Sequence, residues 1–514
     1  MRKLYTILCV LALTGCSGFL EEYSQDKAYV KSWEDLDELM LGNAYFNPVY
    51  IQGGWWSQGT TGNFYYPWIH VLADELQQIT AETNFGQNDA TFVLYGYHTW
   101  QLRVYEDPAG QRTWDDGSDF NHLYAHINAC NIILHESLAF ENGATEDLQN
   151  IRRIQGECHF LRAANYFMLV NFYGKPYEAA TASQDPAVPL KLSNYVEDLD
   201  YRRNSVAEIY NQILEDLEEA ENLLKDVKRK SQWRADINSV RLLMSRVYLY
   251  MCDYANARKY AEMVIENGPR LENLNGFSGE SFLRPELSEL IFSMGSTSIF
   301  GSVSLDKENS QSANDFRISD ELYAAYDAVG GHDLRLQHYV TRKGGTLRYK
   351  KLQGNTYSTP EMSDIFIMRT SEAYLNLAEA ATCNDDETSA REALKTLRRN
   401  RIETAYATED ADKIDALGGK ELVDFIRQER QRELCMEGHR WFDLRRYRVA
   451  AKYAQPVNLV RVVMNRQEGR MTWHRRFTLT TDDPAWVLPL PKDEIDKNTG
   501  MIDNPRNERS YETL

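Results

Sequence analysis

The stretch from Gln428 to Tyr447, QERQRELCMEGHRWFDLRRY, concentrates carboxylates, guanidiniums and an imidazole within a few turns of chain. An apolar series at helical spacing, Leu422 then Ile426, continues on the same face into Glu429 and Glu433, so acids occupy positions where a core stripe is expected. Arg427, Arg430, Arg432, Arg440, Arg445 and Arg446 can supply guanidinium forks, and Trp441 and Phe442 supply bulk. Two chemistries fit: an acid–base cluster completed by His439, or a partly buried ionic girdle. A buried carboxylate is costly unless paired and hydrogen-bonded, so alternating charge beside aromatic bulk favours an internal brace, with Glu429 and Glu433 on arginines and Trp441 packed beneath them. A solvated amphipathic helix with surface ion pairs is the plainer alternative.

Other signatures of catalysis are absent. No nucleophile elbow, Walker A loop, dinucleotide-binding glycine motif, zincin helix or EF-hand spacing occurs. The ten histidines are dispersed, and no second histidine stands at ligand spacing from His439, so no metal and no cofactor is expected. Recognition through aromatic side chains remains. Trp and Tyr present flat apolar faces with little side-chain entropy to lose, which suits stacking on a pyranose while a neighbouring polar group bonds the hydroxyls. Trp55, Trp56, Tyr65, Tyr66, Trp68 and Trp100 are the candidate ligand-binding rings, with Asp74 as polar partner; Trp114, which leads into the next helix, is assigned to packing.

The elements that must position these residues are mainly helical. Ser32, followed three residues later by Asp35, signals a helix start. From about 42 to 119 periodicity gives way to Gly- and aromatic-rich loop, with a helix-like segment over 71–79. Long apolar-periodic helices follow over 120–138 and 151–172, the latter stopped by Gly174 and Pro176. Two helices with a Tyr–Ala rhythm between 240 and 264 have the form of a tetratricopeptide hairpin. A second loop-rich region, about 268–363, holds short candidate strands at 290–294 and 346–351. Helices resume at 364–381, 389–400 and 421–436, and the tail from about 455 to 514 reads as aromatic loop. The expected fold is therefore mainly α, with tetratricopeptide-like helical hairpins supporting long irregular loops and a few short strands, in a single body from 16 to 514.

The formal charge of −19 argues against nucleic acid, whose phosphates require clustered Lys and Arg. At the N-terminus, Arg2 and Lys3 precede an apolar stretch too short to span a bilayer, closed by Leu13-Thr14-Gly15-Cys16. This is similar to a bacterial lipoprotein signal: residues 1–15 would be removed and Cys16 would carry the lipid anchor. Those residues carry two basic and no acidic side chains, so their loss takes the charge from −19 to −21. The remaining cysteines, Cys130, Cys158, Cys252, Cys383 and Cys435, lack CxxC spacing and are expected to be free, buried thiols.

Four stretches together resemble the SusD/RagB family of Bacteroidota surface lipoproteins: the lipobox at 13–16, GECHFLRAANYFMLVNFYGKPY at 156–177, DIFIMRTSEAYLNLAEA at 364–380, and the charged stretch at 428–447. The family usually closes with Gln-Asn-Pro-Gly, where this chain has Asp503-Asn504-Pro505-Arg506. The resemblance implies four tetratricopeptide-like hairpins, no catalysis, and lipid attachment to the outer membrane facing the cell exterior. It also implies a partner, a SusC-like TonB-dependent outer-membrane transporter, to which captured oligosaccharide or polysaccharide fragments are passed. A peptide- or protein-binding lipoprotein of the same transport type is the alternative.

Overall fold

Local capping chemistry sets where the helices begin. In the computed structural model, which describes residues 30–46, 65–66, 68–78, 90–106, 117–279, 281–295, 303, 316–327, 330–343, 345–352, 362–467 and 470–514, α1 (Trp33–Asn43) opens on a capping box between Ser32 and Asp35. Ser205 and Glu208 make the same reciprocal pair at the start of α4, and Asp236 with Ser239 at the start of α5. The long helices in chain order are α2 (Ser118–Ser137), α3 (Thr145–Tyr173), α4 (Val206–Leu224), α5 (Ile237–Tyr250) and α6 (Tyr254–Asn267). After a loop region come α7 (Asp320–Asp327), α8 (Thr370–Cys383), α9 (Glu387–Arg399), α10 (Ala407–Asp415), α11 (Gly419–Glu433) and α12 (Arg440–Arg448).

Antiparallel helix pairing builds the scaffold: α2 lies on α3, α3 on α4, α5 on α6 and α8 on α9, while α6 and α11 both pack against α8. Gly156 permits a close approach of α3 to the end of α4, since a Cβ there would stand 2.6 Å from the Leu224 side chain. The main apolar core runs from Leu36 through α3 and α5 to Met501, with a smaller alanine- and leucine-lined core between α8, α9 and α11. No helix among the described residues is long and apolar enough to cross a membrane.

Short strands tie the loop regions to this scaffold. β1 (Leu76–Gln78) pairs antiparallel with β3 (Phe316–Ile318), and β2 (Leu290–Ser293) pairs with β6 (Ile367–Arg369). β4 (Val340–Lys343) and β5 (Thr346–Tyr349) form a hairpin, and β7 (Leu459–Gln467), β8 (Arg470–Leu479) and β9 (Glu512–Thr513) form a three-stranded sheet.

Three expectations are corrected. The segment 71–79 is not one helix: a single turn, Ile69–Leu72, breaks at Ala73, and β1 then buries Leu76 and Gln78 while Gln77 faces outward, because a distant partner strand supplies a period of two. Helix 364–381 starts only at Thr370, since Ile367–Arg369 is drawn into a strand buried on both faces. The tail is not all loop. Leu459, Arg461 and Val463 turn inward and Val460 and Val462 outward, a two-residue alternation that makes 459–479 a long hairpin.

Candidate functional site

The charged stretch folds as a corner. Helix α11 ends at Glu433, the chain passes through left-handed backbone at Met436 (φ 57°) and Gly438 (φ 76°), and α12 begins at Arg440. Only glycine suits position 438, because a Cβ would sit 3.2 Å from the Ile365 carbonyl oxygen in a conformation that L side chains disfavour. That tight corner brings the end of α11 against β6, the helical turn Arg335–His338 and the turn at Arg401.

Glu433 is wholly buried and accepts from three guanidiniums: Arg401 Nε at 2.9 Å, Arg369 Nη1 at 2.8 Å and Arg335 Nη1 at 3.1 Å, with the Tyr339 hydroxyl at 3.2 Å. Those cations hold its carboxyl far below the usual range against the opposing pull of burial. One turn earlier, Glu429 accepts from Arg335, Arg398 and Arg432 and is likewise depressed. Asp333, Glu289 and Glu437 complete the array, pairing with Arg335, Arg401 and Arg369 respectively, and Lys351 also pairs with Glu437. A second layer faces α8. Arg446 and Arg427 clasp Glu379, whose carboxyl falls to about 2, Arg430 holds Asp443 and Asn376, and Arg246 forks onto Glu372 at 2.6 Å through each nitrogen.

The brace reading of this stretch therefore stands for Glu429 and Glu433, but the arginines are largely different ones. Glu433 receives none from within 428–447; Arg335, Arg369, Arg398 and Arg401 come from elsewhere in the chain. Arg369 left a signal, as the lone charge in the apolar run IFIMR. Arg445 turns instead to the carbonyls of Asn171 and Gly174. Trp441 packs against Trp486, ring centroids 4.7 Å apart. Burial and surrounding cations push the His439 imidazole well below its normal value, so it stays neutral. No group of His, Cys, Asp and Glu suited to a metal ion occurs among the described residues. Of the five cysteines among the described residues, Cys252 alone is partly exposed, and all five are free.

The aromatic candidates divide. Trp55 and Trp56, like Trp114 and Cys16, lie outside the described residues. Tyr65, Tyr66, Trp68 and Trp100 are buried in the main apolar core. Tyr65 stacks on Phe46 at 4.1 Å and its hydroxyl meets His126 Nε2 at 2.8 Å. Burial lowers the His126 imidazole to about 4, so it is neutral; Nδ1 donates to the Asn43 carbonyl and Nε2 accepts from the tyrosine. Trp68 lies parallel to Tyr97 at 5.0 Å and donates Nε1–H to Asp119 at 2.8 Å. Trp100, in left-handed backbone, donates to the Leu72 carbonyl at 3.0 Å and lies under the Arg461 guanidinium. These four rings are taken up in packing contacts with their neighbours. Asp74 is taken up by Arg440, which forks onto both its oxygens at 2.7 Å.

Next to it, Glu75 is buried and forms no ion pair among the described residues, although His70 and Arg440 lie near enough to favour its charged form. Its Oε1 accepts from the Met436 N–H at 2.8 Å, and burial raises its carboxyl to about 7. The tail is anchored through Asn504, which donates to the Tyr173 and Leu488 carbonyls, and Arg506, which donates to Gln101 and Val487.

Comparison with known proteins gives a consistent result. Residues 248–506 match the family model described as SusD family, and residues 63–249 match one described as starch-binding associating with outer membrane. No curated protein matches the chain. Among solved structures, a SusD superfamily protein from Bacteroides thetaiotaomicron is 20% identical, with a TM-score of 0.67 over 93% of this chain and 100% of its own. A SusD-like carbohydrate binding protein from Bacteroides vulgatus (17% identity, TM-score 0.65, 93% and 99% covered) has the same fold. So does the surface glycan-binding protein A from Bacteroides fluxus (17% identity, TM-score 0.60, 92% and 98% covered).

Proposed function

Because this chain belongs to the SusD family, whose members bind without catalysing a reaction, we propose that it is a glycan-binding protein of the outer-membrane surface. The observation that carries this reading is the pair of adjoining family matches over 63–506, one of them described as starch-binding and outer-membrane associated. Anchoring is through a lipid on Cys16. The captured oligosaccharide passes to a SusC-like TonB-dependent barrel that the protein covers.

The physical chemistry is compatible with this role. The brace consumes its acids in guanidinium pairs, which suits a stiff body. With Tyr65, Tyr66, Trp68 and Trp100 buried, Trp55 and Trp56 are the rings proposed to stack on sugar. The chain from Cys16 onward, presented with a panel of polysaccharides, is expected to retain at least one and to release no shortened product. Trp55→Ala with Trp56→Ala should weaken that binding at least about tenfold, equivalent to about 1.4 kcal/mol, with the melting temperature unchanged. Binding of peptides but of no glycan would overturn the reading.

A further inference from the structure

The sheet of the C-terminal region has one edge occupied and one open. Its strands run in the order β7, β8, β9, so β8 is paired on both sides while β7 pairs only with β8. In an antiparallel ladder every second residue of an edge strand turns its N–H and C=O away from its neighbour. Over Leu459–Val463 the backbone has no backbone partner other than β8 among the described residues. Soluble proteins commonly blunt such an edge with lysine, proline, a bulge or a charge that would be trapped by a new strand. Here the outward side chains of β7 are Val460 and Val462, 49% and 41% exposed. The bulge comes only after this stretch, between Asn465 and Arg466. Arg461, which points inward, is already buried on the Ala73 carbonyl and against the Trp100 ring, so a further strand would not trap a free charge.

The occupied edge indicates what kind of strand fits the open one. It holds the extended residues Glu512 and Thr513 in antiparallel register with Arg476 and Arg475, and Arg476 Nη1 donates to the Glu512 carboxylate at 2.8 Å. In a chain of net charge −19, β7 and β8 carry Arg461, Arg466, Arg470, Arg475 and Arg476 and no acid. Glu468 between them and Glu512 on β9 leave the sheet with positive charge in excess. A strand added beside β7 lies about 4.8 Å from it and about 10 Å from β8, comparable with the screening length of about 10 Å at 0.1 M salt. We propose that the open edge of β7 docks an extended, acidic segment of a partner protein as a fourth strand of this sheet. Main-chain pairing supplies the affinity, the valines supply apolar neighbours, and the arginines select the sign of the partner's charge. Pairing of two β7 edges from two copies of the chain is disfavoured, since it would bring two arginine-rich sheets together.

This inference goes beyond glycan capture and is tested apart from it. The whole chain from Cys16 onward is titrated with three short fluorescent peptides built on valine and threonine: one carrying glutamates, one with lysines in their place, and the glutamate peptide with a central proline. Anisotropy should show binding of the first alone, weakening as salt is raised. Hydrogen exchange of the parent should then slow over 459–463 and stay unchanged over 508–514. Val462→Glu, at an exposed position, should weaken binding at least about tenfold with the melting temperature unchanged. If that variant is destabilised, the exchange pattern of the parent decides. No binding of the glutamate peptide, or equal binding of the lysine or proline peptide, would overturn the proposal. So would altered exchange at 508–514 in place of 459–463, which would mean that the peptide displaces β9. Protection of 459–463 that grows with protein concentration in the absence of peptide would overturn it in favour of a second copy on this edge. Trp55→Ala with Trp56→Ala should leave peptide binding unchanged; a loss would place the peptide at the aromatic loops and overturn the assignment to β7.

Discussion

Glu433 and Glu75 are both buried carboxylates meeting at the same corner, and their environments push them in opposite directions. Glu433 sits among Arg335, Arg369 and Arg401 and stays ionised far into acid. Glu75, joined to the corner by one backbone N–H from Met436, is raised to about 7 by the same burial. The contrast separates two effects usually lumped together as burial. Desolvation acts on both; only converging guanidiniums reverse it. One region is therefore a permanently charged brace, and the other is a carboxyl that changes state near neutrality.

The largest expected effect breaks the first half of this comparison. Glu433→Ala would leave three buried guanidiniums short of a partner, and removal of one member of a buried ion cluster typically destabilises by about 3–5 kcal/mol. Chemical denaturation should show a loss of that size, with glycan affinity of the remaining folded protein unchanged. A normal melting temperature combined with selective loss of ligand would place the binding site at the brace instead.

Part of this region was legible in the sequence because it violates a local pattern. Leu422, Ile426, Glu429 and Glu433 share one helical face, and all four are buried, so acids in a core stripe did mark a paired interior. Their partners were not legible, since Arg335, Arg369, Arg398 and Arg401 reach them across gaps of 31 to 98 residues that no periodicity encodes. Helix positions followed from apolar spacing, whereas Ile367–Arg369 and Leu76–Gln78 became strands through pairing with β2 and β3. Among the aromatic candidates, ring type alone could not mark which rings pack into the core: Trp68 and Trp100 have their indole N–H groups satisfied inside the fold.

A smaller effect sharpens the second half. Glu75 has a folded value of about 7 against an ordinary 4.5, so the folded state binds the proton more tightly than the unfolded chain. Its contribution is complete below about pH 4.5, falls as pH rises, and is lost above about pH 7. The full span is on the order of 3 kcal/mol, at 1.36 kcal/mol per pH unit of displacement. Glu75→Gln keeps an oxygen acceptor for the Met436 N–H and removes the titration. Stability measured from pH 4.5 to 8 should then lose this slope, and the variant should exceed the parent at pH 8. An unchanged slope would mean that another group controls it.

The corner itself gives the smallest of the three effects and links the two carboxylates. Gly438 lies at φ 76°, with the Ile365 carbonyl oxygen 3.2 Å from where a Cβ would be. Left-handed backbone costs an alanine about 1–2 kcal/mol, and the close carbonyl adds to it because β6 and α8, which follow Ile365, are fixed by the brace. Gly438→Ala should lower stability by about that amount. If the brace and the Glu75 turn are coupled through this corner, the pH slope assigned to Glu75 should shrink as well, because any movement of Met436 loosens the hydrogen bond that its N–H donates to Glu75. A loss of stability with the slope intact would show instead that the two regions respond independently.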